Sequence, residues 1–300
     1  MAVESLLAQQ TSFNFELLVI DDASPDRSLE EIADLADPRL IRFALPKNIG
    51  AAQAINLGFA HARGRYVARL DGDDRWYPEF VQQCAARLDS DPEIGMVYCE
   101  VDSIDAAGVT QPETLIGPHR ASAPPSGDEF AALLHRHYTC APGILYRREA
   151  WQAILPWPER FSSALGDWYC NLTIAARWKV AFVPRTLASY RMHGGGMHLN
   201  SVRSGLAERN TRLILEHFLG TEQLAARAPS MQSLLADHLL GFGDAYFGCD
   251  MVDDARRCYL EAGAKRPWRL LRARHRGAFV GSLIGKARYE KLKKLLKRGA

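Results

Sequence analysis

The first hundred residues alternate short apolar runs with segments of helical spacing, and this alternation restricts the fold more than any other feature. The apolar runs at residues 16–22, 40–45 and 94–105 have the length and composition of strands. Between them, residues 28–37 and 50–62 carry apolar residues at helical spacing. We therefore predict an α/β fold with a mostly parallel sheet flanked by helices.

The second half of the chain is predicted to be mainly helical. Residues 117–128 are rich in proline, serine and glycine and form a loop before a helix at 129–138. Residues 239–267 have the shape of two consecutive helices. We predict one domain over residues 1–204 and a helical C-terminal region with a basic amphipathic tail over residues 205–300.

Composition indicates an ordinary globular protein. Hydrophobic residues make up 47% of the chain, and the net charge of +2 does not indicate a nucleic-acid partner. The six cysteines contain no CxxC pair, which is typical of reduced thiols in a cytosolic protein. We find neither a signal peptide nor an apolar run long enough to cross a membrane, and therefore expect a cytoplasmic protein.

The C-terminal tail is strongly basic. From Lys265 onward, Glu290 is the only acidic residue. The final stretch, residues 286–300, is predicted to be a basic amphipathic helix. Such a helix can lie on the anionic inner face of a membrane, or it can simply be a solvated helix end. The sequence leaves both interpretations open.

Two acidic clusters each follow a predicted strand directly. The first is Asp21–Asp22, and the second comprises Asp71, Asp73 and Asp74 around one glycine. In open α/β sheets, ligands bind at the carboxyl ends of the strands, so both clusters could line one crevice. Carboxylates so close together suit a hard divalent cation, but Asp-Gly is also a common turn, and Asp22 could equally cap the next helix.

Four segments resemble the successive blocks of family 2 glycosyltransferases, which have the GT-A fold. They are LLVIDDASPD, NIGAAQAINLGFAHARGRYVARLDGDDRWYP, ALGDWYCNL and VAFVPRTLASYRMHGGGM, and the resemblance covers roughly residues 4 to 200. It implies a nucleotide-diphosphate sugar as donor, expected to be a UDP-sugar, and Mg²⁺ or Mn²⁺ as cofactor. The implied donor-binding residues are Asp21, Asp22, Asn48, Gly50, Asn56, Asp71 and Arg191, and the implied metal-binding residues are Asp71, Asp73 and His193.

The resemblance also implies a catalytic base and an acceptor site. Asp167 falls where the family carries the carboxylate that deprotonates the acceptor hydroxyl, and one such base favours inversion at the sugar carbon. Trp168 and Tyr169 follow it and could stack on an acceptor sugar, although buried aromatic residues more often belong to the core.

The chain departs from the family pattern at its start. Relatives open with a strand before the helix that here reads VESLLAQQ, and this strand is absent from the sequence. We expect the natural protein to be longer, although a degenerate relative completed by a partner strand would show the same pattern. In addition, Ile55 stands where many relatives carry arginine, and Gly166 replaces an acidic residue beside Asp167.

These observations support a first hypothesis and an alternative. The first is an inverting, metal-dependent glycosyltransferase that moves a sugar to a glycan or lipid-linked acceptor in cell-surface polysaccharide synthesis. The alternative is an inactive relative that binds a nucleotide sugar or acts as an assembly module. A phosphohydrolase is less well supported, because no nucleophilic aspartate motif accompanies the acids.

Overall fold

The computed structural model describes residues 1–26, 28–116, 126–161, 164–192, 197–270, 272–289 and 291. These residues pack into two compact units. The first lies within residues 1–129, 137–162 and 166–194, and the second within residues 130–136, 163–165 and 195–300. The domain boundary predicted after residue 204 stays a prediction.

The described strands all belong to the first unit, and most lie in one sheet. Seven strands form a mixed sheet in which β3, β8, β5, β9 and β4 are consecutive neighbours, with β6 beside β5 and β7 beside β9. The other two, β1 and β2, pair in parallel as a separate sheet among the described residues. The strands are β1 (Leu17–Asp21), β2 (Leu40–Ala44), β3 (Tyr66–Val67), β4 (Arg75–Trp76), β5 (Ile94–Ile104), β6 (Thr110–Thr114), β7 (Ser126–Gly127), β8 (Ile144–Arg147) and β9 (Lys179–Arg191).

The strand directions correct the prediction of a mostly parallel sheet. Of the seven described pairings, β1–β2 and β5–β9 are parallel and the other five are antiparallel. The alternation of strands and helices correctly predicts a sheet covered by helices. The direction of each strand, however, depends on which neighbouring strand it pairs with. That neighbour is chosen by tertiary packing, which the local pattern does not contain.

The core of the first unit is built around β5. Every residue of this strand except Glu100 is buried, as expected for a continuous apolar run covered on both faces. The first unit contains α1 (Ala2–Leu7), α2 (Ala51–His61), α3 (Phe80–Asp89), α5 (Arg148–Gln152) and α6 (Gly166–Ala175), and the second contains α4 (Phe130–His135), α7 (Met197–Arg203), α8 (Leu206–Leu219), α9 (Glu222–Ala225), α10 (Met231–Gly248), α11 (Val252–Lys265), α12 (Pro267–Leu270) and α13 (Ala273–Ile284).

The helix predicted at residues 28–37 is wrong in extent, because only a 3₁₀ turn at Glu30–Ile32 forms there. Ser28 does not cap a helix, since its backbone N–H and hydroxyl both donate to Asp26. The guanidinium of Arg42 donates to the carbonyls of Ile32 and Leu35. Carbonyls bonded by a side chain from β2 do not require a helical ladder.

In the second unit, the two helices predicted within residues 239–267 are confirmed as α10 and α11. They pack closely at Gly243, where a Cβ atom would lie 2.6 Å from the ring of Tyr259. In the part of the chain that the structure describes, no helix is long and apolar enough to cross a membrane. Within the basic tail, residues 290 and 292–300 lie outside the described residues.

Candidate functional site

The first acidic cluster lies where β1 ends and holds the start of α2. The carboxylate of Asp22 accepts hydrogen bonds from the backbone N–H groups of Ile49 and Gly50, at 2.7 and 2.9 Å. Asp21 accepts from the backbone N–H of Ser24 at 3.0 Å. Asp22 therefore caps the start of α2 and not the helix predicted at residues 28–37, which is the next helix that the sequence predicts. A carboxylate has about four acceptor positions, so the capping bonds do not use up its capacity.

Three further predicted donor-binding residues surround the same helix. The side-chain amide of Asn48 donates to the backbone carbonyl of Asp22 at 3.0 Å. Gly50 has a φ of +87°, and a Cβ added at this residue would meet no atom within 4 Å, so the backbone there is open to approach. Asn56 accepts from the backbone N–H of Trp157 at 2.6 Å. These contacts give the three residues a structural role, and their binding role stays a prediction.

The second acidic cluster forms an exposed turn after β3. The backbone N–H of Asp74 donates to the carbonyl of Asp71 at 3.1 Å. The carboxylate of Asp71 is about half exposed and lies 3.2 Å from Nε of Arg69. Asp73 is exposed, and a Cβ at Gly72 would meet no atom within 4 Å. A ligand can therefore approach this turn closely.

Asp74 differs from its neighbours because its side chain is buried, at 1% exposure. Its Oδ1 accepts from the backbone N–H of Arg191 at 2.9 Å, and its Oδ2 has no hydrogen-bond partner among the described residues. Burial raises the pKa of this carboxyl to about 7, and the nearby charges of Asp73 and Asp71 add to the effect. The turn therefore carries two exposed carboxylates beside one buried carboxyl.

Arg191 anchors the acidic turn. Its guanidinium donates to the backbone carbonyls of Asp73 at 2.8 Å, Asp105 at 2.7 Å and Ala106 at 3.1 Å. With these donors engaged, the side chain positions the turn, and its predicted contact with a nucleotide sugar stays a prediction. His193, the predicted third metal ligand, lies outside the described residues.

Asp167, the predicted base, lies in the first turn of α6. Its Oδ1 accepts from the backbone N–H of Trp168 at 2.9 Å, and its Oδ2 is 3.6 Å from Nε2 of His137. The ring of His137 stacks on Trp168 with 6.1 Å between centroids. Trp168 is only 1% exposed, which argues against its predicted acceptor contact. Tyr169 is half-buried against Phe161, and its acceptor contact stays a prediction.

Two residues connect Asp167 with the acidic turn. Burial lowers the pKa of Arg69, but the charges of Asp71 and Asp167 outweigh this and raise it. Burial raises the pKa of the Cys140 thiol, and the charges of Asp74 and Asp167 raise it further. Arg69 and Cys140 are therefore within electrostatic range of both Asp167 and the acidic turn.

Tyr190 and α2 are also linked to Arg69, Cys140 and the acidic turn. Burial raises the pKa of Tyr190 to about 12, with added contributions from Cys140 and the acidic turn. The guanidinium of Arg69 lies 5.4 Å from the centroid of Trp157, whose backbone N–H donates to Asn56. A continuous series of contacts therefore joins α2, Arg69 and the acidic turn.

Sequence reasoning identified the acids but missed Arg69 and His137. Arg69 stands two residues before Asp71, and side chains at this spacing lie on one side of an extended chain, so a signal was available. His137 lies thirty residues from Asp167 in sequence, and only tertiary packing brings it close.

A divalent cation is compatible with the acidic turn. Hard carboxylate oxygens suit Mg²⁺ and Mn²⁺, and Asp71 and Asp73 present such oxygens beside an open glycine. Among the described residues, no three His, Cys, Asp or Glu side chains group closely enough to hold a metal alone. Mg²⁺ in general is bound through one or two carboxylates together with substrate phosphates.

Comparison with known proteins identifies the family. The family profile described as "Glycosyl transferase family 2" matches residues 1–155, which is more than half of the chain. The chain belongs to glycosyl transferase family 2. Membership confirms the resemblance predicted from the sequence blocks.

Two relatives align with more of the chain than the family profile does, and a third aligns with less. An uncharacterised glycosyltransferase of Nostoc sp. is 29% identical over 218 residues, covering 70% of this chain and 65% of the relative. An uncharacterised Mycobacterium tuberculosis protein is 30% identical over 201 residues, covering 65% of this chain and 55% of the relative. The succinoglycan biosynthesis protein ExoO of Rhizobium meliloti is 37% identical over 105 residues, covering 35% of this chain and 30% of the relative. The chain thus spans about 55–65% of the length of the first two relatives.

Solved structures support the fold of this family 2 member. Staphylococcus aureus TarS (residues 1–349) superposes with a TM-score of 0.59 at 17% identity, covering 100% of this chain and 87% of TarS. The TarS complex with UDP has a TM-score of 0.53 at 16% identity, covering 95% of this chain and 87% of that structure. At this level of identity, the likeness confirms the predicted GT-A fold class.

Proposed function

We propose that this chain transfers a sugar, with inversion, from a nucleotide-diphosphate donor to a glycan or lipid-linked acceptor in cell-surface polysaccharide synthesis. The observation that carries the proposal is the acidic turn itself, in which the exposed carboxylates of Asp71 and Asp73 flank a glycine that leaves the backbone open to a ligand. Family membership supports sugar transfer, and the UDP bound to TarS supports a uridine nucleotide as the donor's leaving group.

The donor would lie between the end of β1 and the acidic turn. Asp22, with Asp21, would accept hydrogen bonds from the nucleobase or ribose, using acceptor positions that the capping bonds leave open. Asp71 and Asp73, with His193, would hold Mg²⁺ or Mn²⁺ against the diphosphate. Such an ion neutralises the negative charge that develops on the leaving group. The remaining donor-binding residues in this proposal are Asn48, Gly50, Asn56 and Arg191.

Asp167 would act on the acceptor. A sugar hydroxyl is a weak nucleophile, so the carboxylate takes its proton while the hydroxyl oxygen forms a bond to C1 of the donor sugar. The bond from C1 to the diphosphate oxygen breaks, and its electron pair leaves with the nucleoside diphosphate. Attack opposite the leaving group inverts C1. His137, 3.6 Å from Oδ2 of Asp167, would orient the carboxylate.

The acceptor is proposed from the relatives and not from the site. ExoO is named for succinoglycan biosynthesis, which supports a growing glycan as acceptor. A basic amphipathic helix is attracted to anionic lipid, so we propose a cytoplasmic protein with peripheral membrane contact through the basic tail.

The test is a donor assay on three purified proteins: wild type, Asp167→Asn and Asp34→Asn. UDP release from UDP-sugars is measured with Mn²⁺ and with EDTA. A general base contributes about 10²–10⁴-fold, so Asp167→Asn should lose activity by that factor while still binding UDP. Asp34 is exposed and has no described side-chain partner, so its variant should match wild type.

Each alternative has a distinct outcome. Unchanged turnover in Asp167→Asn would show that the base is another residue. UDP binding that is independent of Mn²⁺, together with no turnover in wild type, would replace the proposal with a nucleotide-sugar binding module.

A further inference from the structure

The second unit contains a cavity of about 390 Å³ that the proposed sugar transfer does not use. It lies at the start of α8 and against α10 and α11. Its charged lining consists of Arg203, Arg209, Arg212, Arg257, Glu208 and Asp254. This volume falls within the range of small-molecule sites, which begins at about 300 Å³.

The charges of this lining are unbalanced. Four arginines face two acids, which leaves a formal charge of +2 on the cavity wall. Arg212 and Arg257 are held by the buried carboxylate of Glu208, and Arg212 also pairs with Glu261 outside the lining. These inner arginines are therefore compensated by fixed acids.

The positive excess lies at the rim. Arg203 and Arg209 are exposed, and neither side chain makes a hydrogen bond or ion pair with any described residue. Two unpaired guanidiniums beside an open cavity leave about ten N–H donors without a described protein acceptor.

The backbone at the rim also contributes positive electrostatic potential. Gly205 lies between the two rim arginines and adopts a left-handed conformation with a φ of +74°. It is the N-cap residue of α8, and no side chain caps the helix there. The first N–H groups of this 14-residue helix and its macrodipole add positive potential on the side of Arg203 and Arg209.

We propose that this cavity binds a phosphate group of a small molecule or lipid. Planar guanidiniums bind phosphate oxygens through paired hydrogen bonds, and a dianion matches the two positive charges of Arg203 and Arg209 better than a single carboxylate does. The inner ion pairs around Glu208 hold the wall rigid, while Arg203 and Arg209 contact the ligand.

The test uses inorganic pyrophosphate as the soluble probe. Isothermal titration is carried out in EDTA, so that binding assisted by a divalent cation at the acidic turn is removed. The cavity variant is R203Q/R209Q, and the matched control is R272Q/R276Q, which removes two exposed charges from the region of α13. We expect pyrophosphate to bind wild type and the control equally, and to bind the cavity variant at least tenfold more weakly.

A second arm identifies the source of the phosphate. Cosedimentation is measured with phosphatidylcholine vesicles that contain or lack phosphatidic acid. A lipid headgroup as ligand predicts that R203Q/R209Q loses the phosphatidic acid dependence that the control retains. A soluble ligand predicts equal cosedimentation of the two variants, with the difference confined to pyrophosphate titration.

Three results would overturn the proposal. The first is that neither probe binds wild type. The second is that R203Q/R209Q and R272Q/R276Q lose binding equally, which would indicate general attraction of anions to a basic surface. The third is that succinate binds wild type as tightly as pyrophosphate, since the cavity would then not select phosphate.

Discussion

Replacing Glu208 with glutamine tests whether the ion-pair network of α8 and α11 stabilises the second unit. Glu208 is buried, and its carboxylate accepts from two nitrogens of Arg257 at 2.9 and 2.8 Å. Arg212 donates to it at 2.8 Å, and the hydroxyl of Tyr246 donates at 3.1 Å. A neutral amide retains the size of the side chain but turns an N–H₂ group toward positively charged donors.

The magnitude follows from the pKa of this carboxyl. Burial raises it, but the hydrogen bonds and charges of Arg257 and Arg212 outweigh burial and lower the pKa from 4.5 to about 2. At about 1.4 kcal/mol per pKa unit, the charged form is stabilised by about 3 kcal/mol relative to the unfolded chain. This agrees with the roughly 3–5 kcal/mol typically lost when one partner of a buried ion pair is removed.

The assay is hydrogen exchange followed by mass spectrometry, because it resolves the two units. A loss of about 3 kcal/mol corresponds to roughly a hundredfold faster exchange in peptides of α8 and α11, with little change in peptides of β5. The control is Glu216→Gln, an exposed position on the same helix. Equal protection in the two variants at pH 7 would refute the reasoning.

The pH dependence provides an independent check of the sign. Because the folded pKa of Glu208 is depressed, its stabilisation is fully present above about pH 4.5 and is lost as pH falls toward 2. The difference in unfolding free energy between wild type and Glu208→Gln should therefore be constant near neutral pH and shrink below pH 4.5. A difference that grows on acidification would contradict the assignment.

Two further predictions concern local packing, and urea unfolding measures both. Asp22→Ala removes the acceptor of two backbone N–H groups at the start of α2 and should cost about 1–2 kcal/mol, whereas Asp34→Ala at an exposed site should be neutral; equal effects would remove the capping role. Gly243→Ala places a Cβ 2.6 Å from the ring of Tyr259 and should destabilise by about 1–3 kcal/mol. Gly241→Ala, with no atom within 4 Å, should instead stabilise the helix by up to about 1 kcal/mol; the same sign for both would contradict the packing argument.

Elements with an uninterrupted local pattern were predictable from the sequence. The apolar run at 94–105 became β5, where burial of nearly every residue reinforces the local preference. The stripe at 50–62 became α2, although only Ala52 of this helix is fully buried. The segment at 28–37 failed because Arg42, from a different strand, takes two of its carbonyls. Strand direction failed for a related reason, since pairing partners are distant in sequence.

The candidate site shows the same difference between what local sequence determines and what tertiary packing determines. The acids that follow β1 and β3 along the chain were predictable, because ligand-binding groups of α/β sheets gather beyond the ends of strands. Their partners were not. Arg69 and His137 belong to the site through packing, and Asp74 stands apart from Asp71 and Asp73 only because its side chain is buried.

The contacts around α2 determine which substitutions can report on chemistry. Asp22 holds the start of this helix, and Asn56 on the same helix accepts from the backbone of Trp157, which in turn lies against Arg69. A change at Asp22 therefore disturbs both the proposed nucleobase contact and the support beside Arg69. Asp167 accepts its neighbour's N–H, so its replacement by asparagine removes basicity while retaining an acceptor oxygen. Lost turnover with unchanged unfolding in Asp167→Asn would consequently report on proton transfer, whereas lost turnover at Asp22 has to be compared with lost stability first.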